Sequence, residues 1–197
     1  CVPLTESRAD HLELPPMTDR NTAPLGTAFT ISVEAREGVT TGISAADRAR
    51  TIQLLADPKA GPDDFSRPGH IFPLRAKDGG VLVRAGQTEA SVDLCRMAGL
   101  SSTAVVCEIM SEDGSMARMP ELEQFASQHD LHILTVADLI SYRLAKERLI
   151  ERGEDTSLPT THGNFRAVGY KTLIDTKEHV ALVMGDVTTP EPVLVRV

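Results

Sequence analysis

Segments of strand period and segments of helix period alternate along the first 150 residues, and this interleaving constrains the fold more than any other feature. Phe29, Ile31 and Val33 alternate with Thr30, Ser32 and Glu34, the period-2 signature of a half-buried strand. Ser44, with Asp47 three residues on, is an N-cap that predicts a helix over residues 45–55; Pro58, Gly61 and Pro62 keep it from continuing. Residues 71–74, a Lys77-Asp78-Gly79-Gly80 turn and residues 81–83 read as a hairpin, because the glycines supply positive φ. Helical spacing over 88–98 closes at Gly99. A short apolar run at 104–110 reads as a buried strand, 120–129 as a helix, 131–134 as a strand and 136–150 as a helix. Residues before Thr27 are punctuated by Pro3, Pro15, Pro16, Pro24 and Gly26 and read as irregular.

The expected architecture is therefore α+β, a mixed sheet with covering helices, over residues 1–150. Residues 151–160 are polar and charged with little apolar content, and read as a linker. Period-2 runs at 165–170, 180–187 and 193–197 make 161–197 a short all-β beginning of a truncated second domain. At 41% hydrophobic and 24% charged the composition excludes a disordered chain. No apolar run approaches the roughly 20 residues of a membrane-spanning helix, so no membrane is expected. Acidic residues outnumber basic ones 28 to 20, which argues against unselective nucleic-acid binding. Three cysteines without a CxxC pair fit a reducing cytoplasm. The chain opens on Cys1 without a signal pattern and reads as a fragment or processed piece.

Four clusters hold residue types suited to chemistry. Gly38-Val39-Thr40-Thr41-Gly42 reads either as an ordinary loop before a capped helix or as an anion cradle at a helix start. In Arg67-Pro68-Gly69-His70, the histidine is either a structural residue at a strand start or a proton-transfer group, since imidazole exchanges protons near neutrality. Arg84-Ala85-Gly86-Gln87-Thr88 runs from a strand into a helix; Arg84 either pairs a phosphate bidentately or is solvated. Glu108 ends an apolar run, where a carboxylate is costly unless it is paired or reaches solvent. Cys95 and Cys107 read as small packing residues.

Three long strings tie these clusters together: NTAPLGTAFTISVEAREGVTTGISAADRARTI, RPGHIFPLRAKDGGVLVRAGQTEASVDLCRMAGL and VVCEIMSEDGSMAR. Through them the chain resembles the 3,4-dihydroxy-2-butanone 4-phosphate synthases of riboflavin biosynthesis from Cys1 to about Glu147. The tail, LPTTHGNFRAVGY followed by HVALVMGD and VLVRV, resembles the opening of GTP cyclohydrolase II. The resemblance implies conversion of ribulose 5-phosphate to formate and 3,4-dihydroxy-2-butanone 4-phosphate, with Mg²⁺ or Mn²⁺, in a homodimer. The chemistry so implied is deprotonation to an enediol, loss of water, skeletal migration and release of one carbon. It also implies roles: His70 and Glu108 as the proton-transfer pair, Arg84 and Thr88 on the substrate's phosphate end, Thr41 in a substrate-side loop, and Cys1 lining the site. Gln87 stands where the family carries a metal-binding histidine, and the family's acidic loop would lie upstream of Cys1. A non-catalytic domain that supports a fused cyclohydrolase is the alternative, and Gln87 is the residue that favours it.

Overall fold

In the computed structural model, which describes residues 1–196, the chain begins with a strand rather than an irregular lead. β1 (Val2–Thr5) runs into α1 (Glu6–His11), whose N-cap is Thr5, its hydroxyl accepting the Arg8 N–H. The prolines in this region misdirect a local reading, because the strand is made by its partners. β1 pairs in parallel with β4 (Pro73–Ala76), Val2 opposite Pro73. Its other edge meets residues 103–106: Ala104 N–H donates to the Pro3 carbonyl, and Val106 N–H to that of Cys1. β4 in turn is flanked by residues 28–30, with the Thr30 N–H on the Pro73 carbonyl. In place of one mixed sheet the structure has small sheets: the parallel β1–β4 pair is bordered by isolated antiparallel bridges, Leu4 with Thr103 and Phe29 with Leu74.

β2 (Val33–Ala35) pairs antiparallel with β3 (Phe65–Ile71). α2 (Ala45–Ala56) starts at Ser44, whose Oγ accepts the Asp47 N–H at 3.0 Å. Its far end is closed from outside, since the Arg8 guanidinium donates to the carbonyls of Leu55 and Asp57 at 3.0 and 2.5 Å. Burial lowers the Arg8 pKa from its ordinary value. Val2, Leu4, Ala9, Leu12, Leu14, Val33, Leu55 and Phe65 form the core between these elements.

α3 (Gln87–Met97) ends on Gly99 at φ +71, as its spacing predicts. The expected hairpin before it does not form. Gly79 and Gly80 do adopt positive φ, +87 and +64, but residues 80–82 continue as a 3₁₀ turn. Two buried carboxylates four residues apart on α3 account for this: Glu89 accepts the Lys77 N–H and Asp93 the Val81 N–H. The backbone donors a hairpin would use are held by the helix instead. α4 (Met119–Gln128) and α5 (Val136–Lys146) follow the sequence reading, α5 ending short of Ile150. Residues 131–134 form no strand, having no ladder partner among the described residues, and 104–110 make only the edge contacts on β1 and a bridge at Met110.

The chain divides within α5 into two units, Cys1–Tyr142 and Arg143–Val197. In the second, β5 (Ile150–Thr160), β6 (Gly163–Thr172) and β7 (Glu178–Val183) form an antiparallel meander. Residues 151–160, expected as a linker, therefore belong to a strand, paired from Thr160 opposite Gly163 to Ile150 opposite Thr172. Residues 193–196 are outside any strand, and the last residue of the 193–197 run lies outside the described residues. Among the described residues no helix is long and apolar enough to cross a membrane.

Candidate active site

His70 owes its position to an irregularity in the β2–β3 ladder. Val33 lies opposite Ile71, yet the next residue, Glu34, lies opposite Ser66. Arg67, Pro68, Gly69 and His70 therefore stand outside the ladder, and a bulge of this kind re-aims side chains. Gly69 sits so close to β2 that a Cβ there would come within 2.1 Å of the Val33 carbonyl carbon. The Gly69 N–H donates to Ser32 Oγ at 3.2 Å. The His70 ring is then placed with Nδ1 2.8 Å from Glu34 Oε1. Its side chain is 45% exposed, that of Glu34 17%.

Cys1, Gln87 and Glu108 come together at the other edge of β1. Cys1 and Val106 exchange hydrogen bonds at 3.0 Å, which carries the 103–108 segment along β1. At its end Glu108 Oε1 accepts from Gln87 Nε2 at 2.9 Å. Its own backbone N–H and then this amide lower the Glu108 pKa from the ordinary carboxylate value. The carboxylate is thus not buried in the apolar run that precedes it; it reaches the surface and is kept ionised. The Val2 N–H donates to the Phe72 carbonyl at 2.9 Å, so β1 links this pair to the segment just after His70.

The two helix starts differ. At α2 the anion-cradle reading fails, because Asp47 fills the position: its Oδ2 accepts from Thr40 Oγ1 at 2.8 Å and from the Gly42 N–H at 3.0 Å. The Thr40 hydroxyl is the leading cause that lowers the Asp47 pKa. Thr41 itself is exposed on this loop. At α3 the N-cap is Gly86, which offers no side-chain oxygen, and the Arg84 guanidinium lies over it within 2.5 Å of where a Cβ would stand. Arg84 is not simply solvated. Its Nη1 donates to the buried Glu89 at 2.5 Å and its Nη2 to the Leu25 carbonyl at 3.0 Å. Thr88 is buried at the same helix start.

The sequence profile of the 3,4-dihydroxy-2-butanone 4-phosphate synthase family matches residues 1–142. The chain belongs to this family. Residues 151–197 match the GTP cyclohydrolase II profile. The chain is 55% identical over its full length to 47% of riboflavin biosynthesis protein RibBA of Salinispora arenicola. It is 54% identical, again over its full length, to 53% of a 3,4-dihydroxy-2-butanone 4-phosphate synthase of Pseudomonas syringae pv. tomato. It thus spans about half the length of these curated relatives. Among solved structures, the two-domain synthase RibBX of A. baumannii superposes with a TM-score of 0.83 at 48% identity, over 94% of this chain and 55% of that one. A synthase described in complex with two magnesium ions superposes at 0.69 and 42% identity, over 74% of this chain and 73% of that one.

A metal of that kind can be tested against the side chains present. Among the described residues no three or more His, Cys, Asp or Glu side chains gather as a metal site. Gln87, where the resemblance leads one to expect a histidine ligand, commits its amide N–H to Glu108 and leaves one neutral oxygen. The described residues alone do not fit a divalent metal site.

Glu34 is the polar partner that the sequence reading misses. It alternates with Ile31 and Val33 as an ordinary solvent-face residue, and its partner lies 36 residues away. The available signal is chemical: Glu34 is the one charged member of the Thr30, Ser32, Glu34 face.

Proposed function

We propose that this chain carries the synthase half of a riboflavin biosynthesis protein, converting ribulose 5-phosphate to formate and 3,4-dihydroxy-2-butanone 4-phosphate. The observation that carries the reading is the pairing of both proton-transfer candidates in a chain of this family: His70 on Glu34, and Glu108 on Gln87. Deprotonation beside a carbonyl needs a base in its deprotonated form, and the hydrogen bonds on Glu108 keep its carboxylate in that form at neutral pH. Later steps return protons to carbon and oxygen, and the part-exposed His70 ring is the second group placed to carry them. The uncapped start of α3, with Arg84 over Gly86 and Thr88 beside it, suits the phosphate end by its free N–H groups and positive dipole end. Cys1 and Thr41 line the same site in this reading. Gln87 does not favour a non-catalytic scaffold, since its amide supports Glu108.

The same reading includes a homodimer, a cytoplasmic location and a requirement for Mg²⁺ or Mn²⁺ in the full-length protein. Exposed Leu94, Met97, Leu100, Val105 and Met110 support the dimer, being apolar side chains left uncovered. The test is formate release from ribulose 5-phosphate by the full-length protein. His70→Asn and Glu108→Gln are each expected to lower turnover by roughly 10²–10⁴-fold with folding retained. EDTA is expected to stop formate release and Mg²⁺ to restore it. A full-length protein that binds ribulose 5-phosphate but releases no formate overturns the reading.

A further inference from the structure

We propose that Glu34 is the positioning residue of His70, and that Gly42 exists to make room for it. The inference rests on the reading above that His70 moves a substrate proton. An ionised carboxylate only accepts hydrogen bonds, so a neutral imidazole 2.8 Å from Glu34 Oε1 must carry its proton on Nδ1. That fixes the tautomer and turns the lone pair onto Nε2. Nε2 has no hydrogen-bond partner among the described residues, and the side chain is 45% exposed. The ring is therefore oriented at one nitrogen and available at the other.

The second observation is independent of the histidine. Gly42 has φ +82, and a Cβ there would lie 0.8 Å from Glu34 Oε1, the same oxygen that meets His70. No side chain at position 42 can coexist with the carboxylate where it stands. Gly42 is itself held, its N–H donating to Asp47 Oδ2 at 3.0 Å. Asp47, Gly42, Glu34 and His70 form one chain of contacts from the start of α2 to the bulge of β3. The contact lies at a part-exposed site, so its removal is read in the imidazole rather than in the melting temperature.

The decisive measurement is ¹⁵N NMR of histidine side chains in the 197-residue chain near neutral pH, with the His70 signals assigned by their loss in His70→Asn. The parent is expected to show the Nδ1–H tautomer. Glu34→Ala and Gly42→Ala are both expected to shift it toward Nε2–H. Glu34→Gln retains an acceptor in nearly the same shape and is expected to keep Nδ1–H. In the full-length protein Glu34→Ala is expected to lower kcat for formate release roughly 10–100-fold, the scale on which carboxylates that orient metal-bound histidines act, with KM little changed and partial recovery in Glu34→Gln. A parent His70 in the Nε2–H form, or a tautomer or kcat that Glu34→Ala leaves unchanged, overturns the proposal. If the tautomer responds as expected but the parent releases no formate, the activity reading fails while the positioning of His70 by Glu34 stands.

Discussion

Asp47 illustrates how one carboxylate can decide what a loop is for. From spacing alone the GVTTG loop suits an anion, because it offers small residues and free N–H groups before a helix. The anion is supplied by the chain itself, three residues after Ser44. Asp47 collects the Thr40 hydroxyl and the Gly42 N–H, and its pKa is lowered from the ordinary value. A carboxylate whose pKa is depressed on folding contributes stability that is present above its unfolded pKa, about 3.9. That contribution is lost as pH falls through the lower folded value. Asp47→Asn is therefore expected to lower the urea midpoint at pH 7, with the difference from the parent shrinking as pH drops below about 4. Equal differences at pH 7 and pH 3 would show that the charge plays no part. At the residue scale, type and local position single out His70, Arg84 and Glu108 in the sequence as candidates. What sequence could not supply was the partner of each, since Glu34, Glu89 and Gln87 depend on approaches that no local pattern encodes.

Elements were legible where their signals are local. The Ser44 cap, the Gly99 stop and the helical spacing of α2, α3 and α4 lie within a few residues of what they determine. The segment before α3 departs from the expected hairpin because its outcome is decided by α3. Gly79 and Gly80 take the positive φ that a hairpin turn needs, but Glu89 and Asp93 capture the Lys77 and Val81 donors. A Cβ on Gly80 would stand 2.2 Å from Asp93 Oδ2, so the turn and the helix carboxylate are fitted to each other. Asp93→Ala leaves the Val81 N–H without its carboxylate acceptor and is expected to cost about 1–3 kcal/mol. Ser44→Ala, which removes only a cap, is expected to cost about 1 kcal/mol. Urea denaturation of both variants checks the order: a cap loss as large as the Asp93 loss would mean that Asp93 does not hold the turn.

At the scale of the whole molecule, the two units differ in how much of their structure is buried. In the first, Val2 and Leu4 of β1 are almost fully enclosed with Leu12, Leu55 and Phe65. In the second, every residue of β5 is exposed, and Val168 is the buried hydrophobic residue among those described. The polar composition of 151–160 leaves this stretch little to bury, and where a linker is expected the chain forms a paired strand. Hairpin pairing with β6 across the Thr161-His162 turn, which supplies a hydrogen-bonded partner for each stretch of the strand, makes it a strand despite its polar composition. A ladder whose side chains enclose almost nothing opens at low free-energy cost, because each local opening sacrifices hydrogen bonds already near water. Hydrogen–deuterium exchange of the 197-residue chain should therefore run much faster for the β5–β6 amides than for those of β1 and β4. Comparable protection in the two ladders would show that pairing alone, without an apolar core, is enough to hold the second unit closed.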